Sequence, residues 1–177
     1  MRKLLFEILV KPPLTEKLTA DDEAAISELA RTLDRSARQR LGRSLSIRQV
    51  DAGSCNGCEL EIHALDNPYY NVEGLGIRFV ASPRHADLLL VTGPVARNME
   101  VALKRTLEAM PEPRLVVAIG DCGCTGGIFG EGYASCGKVA NVIPVDVAVP
   151  GCPPPPLEIL RGILTAVRRG RTEDGAT

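Results

Sequence analysis

The sequence predicts an α/β fold: a mostly parallel sheet with helices on both faces, preceded by an N-terminal helical extension. Three observations predict it. From residue 45 onward, short apolar runs of strand length alternate with stretches of helical character. Gly- or Pro-rich loops follow three of the runs. The chain of 177 residues suits one domain with a sizeable core.

The elements follow in order. Residues 1–18 show no clear period, contain Pro12-Pro13 and read as an arm. Residues 20–41 read as a helix. Thr19 can cap it, Asp21, Asp22 and Glu23 sit near the positive end of its dipole, and Arg35, Arg38 and Arg40 sit near the negative end. Ile26, Leu29, Leu33, Ala37 and Leu41 form one apolar stripe, which could pack on this domain or on a partner. Strand runs fall at Leu45–Val50, Ile77–Ala81, Leu88–Thr92, Leu115–Ile119 and Val142–Val149, and helices at 58–65, 95–110 and 156–169. The expected division is therefore an arm and amphipathic helix over 1–44, a sheet domain over 45–169, and a disordered tail over 170–177.

Composition narrows the function. Apolar residues make up 45% and charged residues 24%, as in ordinary globular proteins. A net charge of −1 gives no reason to expect nucleic acid or an anionic membrane, and three Phe, three Tyr and no Trp offer little base-stacking surface. No apolar stretch is long enough to span a bilayer, so no transmembrane segment is expected. The start, MRKLLFEILVKPP, has only a short apolar part, carries Glu7 and lacks a cleavage site, so a cytoplasmic chain is expected. Six cysteines in a reducing compartment read as ligands or thiols rather than disulfides.

Four of those cysteines carry the chemistry. Cys55 and Cys58 lie in SCNGC, Cys122 in GDCGC and Cys152 in PGCPPPP, each after a strand run. Ligands of parallel sheets bind at the carboxyl ends of the strands, so three loops there can meet at a point. A CxxC pair plus two distant thiolates is the ligand set of an iron–sulfur cluster or of a structural zinc. Glycines at 53, 57, 120, 123, 126 and 127 would let backbone N–H groups approach a bulky inorganic core, and Pro153 to Pro156 stiffen the last loop.

GSCNGCELE, SPRHADLLLVTGPV, AIGDCGCTGGIF and VDVAVPGCPPPPLEIL, in this order over about residues 45–169, resemble the small subunit of [NiFe] hydrogenases. The resemblance is strongest to the membrane-bound, energy-converting kind found in formate hydrogenlyase, and it extends to the homologous B subunit of complex I (NADH-quinone oxidoreductase). It implies a flavodoxin-like domain carrying one [4Fe–4S] cluster beside the active site of a large subunit, with Cys55, Cys58, Cys122 and Cys152 as the iron ligands. It implies no catalytic residue in this chain. The implied partners are a hydrogenase-type large subunit, a ferredoxin-like iron–sulfur subunit and ion-translocating membrane subunits, which would hold the chain at the cytoplasmic face of the inner membrane. The CxxC form matches the hydrogenase branch, since complex I subunits show adjacent cysteines there. Within the resemblance, the 177 residues are expected to go without the C-terminal cluster domain and export signal of periplasmic uptake hydrogenases.

Other residues have two readings each. Cys124 forms CxC with Cys122 and reads as a small buried residue, though it leaves the third ligand ambiguous; Cys136 reads as structural. Glu59 and Glu61 could relay protons beside a cluster or belong to a solvated helix face. His63 reads as an interface or surface residue and His85 as loop structure, while Arg84 could bond cluster sulfur or the partner. GYASCGK over Gly132–Lys138 fits P-loop spacing, but Val139 stands where Ser or Thr would bind magnesium and no strand precedes it, so it reads as a chance match. A quinone-linked subunit and a zinc-braced interaction domain without redox activity are the competing functions.

Overall fold

The computed structural model describes residues 20–169, with side chains from residue 24. The expected arm, the Thr19 cap, the acidic first turn and the tail over 170–177 lie outside these described positions. The elements are α1 (Ala20–Leu41), β1 (Ser46–Asp51), α2 (Gly57–Ala64), β2 (Arg78–Phe79), β3 (Leu88–Thr92), α3 (Arg97–Glu108), β4 (Leu115–Ile119), α4 (Gly120–Thr125), β5 (Val147–Val149) and α5 (Pro156–Arg169). The five strands form one sheet in the order β2-β1-β3-β4-β5, with every pair parallel. That is the doubly wound, flavodoxin-like order.

Side chains of the central strands alternate between the two faces. Leu88, Leu90, Leu115, Val117 and Ile119 share a core with α1, α2 and α5. Leu89, Val91, Val116 and Ala118 point the other way, into a core closed by α3 and by Val139 and Ile143. Both faces are thus covered, which explains why β3 and β4 are buried at every position. At the amino edge, buried Asp87 accepts the Ser46 N–H at 3.0 Å and the Arg43 guanidinium at 2.6 Å, tying α1's exit to the start of β3.

The stripe on α1 packs on this domain. Ile26, Leu33 and Ala37 are buried, Leu29 and Leu41 partly so, and α1 lies along α5. Leu33 is fully enclosed. Leu33→Ala should therefore lower unfolding stability by about 2–5 kcal/mol, measured by urea denaturation; a loss under about 1 kcal/mol would mean that α1 is not anchored there.

Most elements lie within two residues of the expected bounds, and the larger departures concern two strands and one loop. The last strand covers only Val147–Val149, not Val142–Val149, because Val139–Asn141 is a 3-10 turn and Pro144 lacks the N–H a ladder needs. The second strand keeps only Arg78–Phe79 of Ile77–Ala81, as befits an edge strand. GDCGCT, expected as loop, is the one-and-a-half-turn helix α4. Among the described residues no helix is long and apolar enough to cross a membrane.

Candidate metal centre

The three cysteine loops leave the carboxyl ends of β1, β4 and β5, and each is folded by its own polar residues. After β1, the Asp51 carboxylate accepts the N–H groups of Gly53 and Ser54 at 2.8 and 2.7 Å, an Asx turn that starts the CxxC loop. The Ser54 hydroxyl accepts the Asn56 N–H at 3.1 Å and donates to Glu59 Oε2. Asn56 takes a left-handed backbone (φ 72°), and α2 begins at Gly57, so that Cys58 sits in its first turn. The end of β3 supports this loop from below: a Cβ on Gly93 (φ 78°) would lie 2.4 Å from Ser54 N.

The loops after β4 and β5 are bonded to each other. Asp121 N–H donates to the Gly151 carbonyl at 2.8 Å, and Gly151 N–H donates back to Asp121 Oδ1 at 2.8 Å. This reciprocal pair holds Cys122 and Cys152 in fixed relation. The CxxC loop closes on both. Cys58 Sγ lies over Gly120, where a Cβ would be only 2.6 Å away; Gly120 has φ 82°. A Cβ on Gly57 would meet Cys55 Sγ at 3.6 Å and Pro153 Cβ at 3.9 Å, which sets the first loop against the last. The Cys152–Pro153 peptide is cis.

The electrostatics register the same convergence. Burial pushes the Cys58 thiol up to about 12, with Glu59, Cys55, Cys122 and Cys152 each adding like charge. Burial also raises Cys122, followed by the charges of Cys152, Cys55 and Asp121. Cys58 and Cys122, which resist ionisation beside the other thiols, are groups that a cationic centre would stabilise as thiolates, releasing protons as it binds. All six cysteines are free thiols. Among the described residues no three Cys, His, Asp or Glu side chains gather around one point tightly enough for a lone ion.

The two remaining cysteines stand apart from this set. Cys122 and Cys124 are two positions apart on α4, which puts them on different faces of the helix. The Cys124 thiol points at the sheet and donates to the Ala118 carbonyl at 3.7 Å; burial raises it to about 11, and none of the four thiols acts on it. Cys136 is buried in the α3-side core, with its thiol 3.5 Å from Glu100 Oε2. Cys124→Ser and Cys136→Ser should each retain the full iron content of the wild type, measured by metal analysis. Loss of iron from Cys124→Ser with retention in Cys122→Ser would reverse the choice of third ligand.

Glu59 corrects the solvated-face reading. Its side chain is only 5% exposed, and its Oε1 has no hydrogen-bond partner among the described residues. Its contact with Ser54 makes it a clamp on the CxxC loop. Glu61 is half-buried and His63 exposed. Arg84 and His85 lie in the exposed 3-10 turn Pro83–His85, where the Ser82 hydroxyl accepts the Arg84 N–H. Gly132–Lys138 forms no phosphate loop: Glu131 and Cys136 form an isolated antiparallel bridge across it, no strand leads in, and only the 3-10 turn Val139–Asn141 follows. The supporting residues Asp51, Ser54, Asp121 and Gly151 were not singled out by sequence. The Asp51-x-Gly53 pattern was the available signal.

The rim of the centre is apolar and uncovered. Ile128 is 94% exposed, Phe129 61% and Tyr133 fully exposed on the segment that follows α4, and Leu60, two residues beyond Cys58, is 60% exposed.

Comparison with known proteins shows the family of this chain. The model of the family described as NADH ubiquinone oxidoreductase, 20 Kd subunit, matches residues 55–166, which include all four cysteines. A Pyrococcus furiosus protein named probable membrane-bound hydrogenase subunit mbhJ is 46% identical over 129 residues, 73% of this chain and 77% of that protein. Formate hydrogenlyase subunit 7 of Escherichia coli is 41% identical over 142 residues, 80% of this chain but only 56% of that longer protein. Among solved structures, a chain of the membrane-bound sulfane sulfur reductase, an archaeal respiratory membrane complex, superposes with a TM-score of 0.63 at 33% identity, covering 79% of this chain and 77% of that one.

Proposed function

This chain belongs to the NADH ubiquinone oxidoreductase 20 Kd subunit family, and from that premise we propose that it is the electron-transfer subunit of a membrane-associated [NiFe] hydrogenase complex. In this reading Cys55, Cys58, Cys122 and Cys152 hold one [4Fe–4S] cluster, which supplies one-electron transfer when bound. The observation that carries the reading is the gathering of four thiols from three loops at one sheet edge, with the other three acting on Cys58 and Cys58 Sγ lying over Gly120. Glycine at 120 leaves the room beside Cys58 that a bulky core requires. The likeness to relatives named as hydrogenase and formate hydrogenlyase subunits supports a redox cluster over a bracing zinc.

The residues of this chain then have distinct tasks. Asp51, Ser54 and Glu59 shape the CxxC loop, and the Asp121–Gly151 pair sets the other two ligands. Ile128, Phe129 and Tyr133 offer apolar area for a large partner subunit, whose seat there would exclude water and keep the electron path short. A ferredoxin-like subunit would serve as electron relay, and ion-translocating membrane subunits would place the assembly at the cytoplasmic face of the inner membrane. In this assignment residues 45–169 are the cluster domain. The quinone-linked reading uses the same residues here, and the family's own description favours it. The relatives named for hydrogenase and formate hydrogenlyase favour ours.

The test is spectroscopic. The chain purified without oxygen should be brown, with broad visible absorption, about four irons per chain and an electron spin resonance signal on reduction. A colourless protein holding one zinc would replace the redox role with a bracing one. Hydrogen-dependent dye reduction by the assembled complex separates the hydrogenase from the quinone reading.

A further inference from the structure

At the end of the molecule away from the thiols, we propose a binding site for a phosphate-type oxyanion in the groove between α1 and α5. The placement follows from the topology. α5 starts beside Cys152 at the carboxyl edge and runs antiparallel to the strands, so its last turn, like the end of α1, lies at the amino edge. The groove there has a volume of about 440 Å3. Arg35, Arg40 and Arg168 line it, with Thr32, Ser36 and Gln39 as further hydrogen-bonding groups, and among the described residues no carboxylate is in its wall. Three positive charges thus converge on a chain whose net charge is −1.

Helix ends alone do not account for this set. Cations in a last turn complement the helix dipole, and Arg40 does so in trans: its Nη1 donates to the Val167 carbonyl of α5 at 3.2 Å. Yet Arg40 Nε is buried with no partner among the described residues, an orphan donor on an already charged group. Arg35 stands before the last turn of α1, where dipole complementation has faded. Neither Arg35 nor Arg168 pairs with an acid among the described residues. Acids stand in the two adjoining grooves: Glu28, which accepts the Thr32 hydroxyl at 3.3 Å, in the one shared with Arg168, and Asp34 and Glu73 in the one shared with Arg35. The Ser36 hydroxyl donates to the Thr32 carbonyl, which leaves its oxygen, the Gln39 amide and the guanidinium forks facing the groove. Guanidinium groups bind doubly charged tetrahedral oxyanions through paired N–H bonds, and three of them exceed what one carboxylate would use. The ligand chemistry is shared by free phosphates and by phospholipid headgroups.

The experiment uses the full chain and two probes. Inorganic pyrophosphate is titrated calorimetrically, and flotation is measured with phosphatidylcholine vesicles with and without phosphatidylglycerol. Arg35→Ala/Arg168→Ala should weaken binding by about tenfold or more. Arg78→Ala/Arg105→Ala, which removes two exposed arginines from β2 and α3, should leave it unchanged. Pyrophosphate binding with this pattern assigns a free anion; vesicle binding with this pattern and no pyrophosphate response assigns a headgroup. Equal weakening in both variants, or no binding of either probe by the wild type, overturns the site. Should the double variant fail to fold, Arg35→Gln alone carries the same comparison.

Discussion

Replacing Cys55, Cys58, Cys122 or Cys152 by serine should remove or destabilise the iron–sulfur chromophore and stop electron flow through the complex. The physical reason is the donor. A hydroxyl stays protonated at neutral pH and is a hard ligand, whereas thiolate is soft and strongly donating in both iron oxidation states. The largest loss is expected for Cys58→Ser. Its sulfur is the one enclosed between α2 and Gly120 and the one that feels the charge of all three other thiols. Cys55 and Cys152 are exposed, so water can reach a serine there and leave part of the iron in place. Iron per chain and visible absorption are the measurements, with far-ultraviolet circular dichroism to show that the sheet persists. Wild-type iron content in all four variants would end the cluster assignment.

Gly120→Ala should be nearly as damaging, although it touches no ligand atom chemically. The residue has φ 82°, a conformation that costs a non-glycine residue about 1–3 kcal/mol. The added methyl would also stand 2.6 Å from Cys58 Sγ, well inside contact distance. The sulfur cannot retreat far, because α2 begins one residue before it and Ser54 and Glu59 hold the loop behind it. The expected result is a folded protein of lower thermal stability that binds little iron. Full iron content with an unchanged spectrum would show that Cys58 does not sit over Gly120.

Much of this was legible in the chain. β3 and β4 match the expected runs residue for residue, because continuous apolar segments of five residues leave little choice once helices cover both faces. The overshoot at Val142–Val149 came from reading apolar character without the break at Pro144. Glycine content hid α4, since GDCGC has weak helix propensity and is held by the Asp121–Gly151 bonds rather than by its own preferences. That omission also left Cys122 and Cys124 unseparated, because two residues in a loop have no faces and two residues on a helix do. The seat of the α1 stripe was hidden for another reason: amphipathicity states that a face must be covered and never by what. Burial of Glu59 depended on Ser54, five positions earlier, closing back onto it.

The mutual bonds between Asp121 and Gly151 have a consequence for maturation. In the proposed assignment these bonds fix two of the four ligands to each other within the chain itself, which lowers the ordering cost of binding a cluster. The turn between Asp51 and Cys58, held by its own bonds to Gly53, Ser54 and Glu59, would bring the other two, so a cluster taken up in that assignment meets ligands whose backbone this chain already positions.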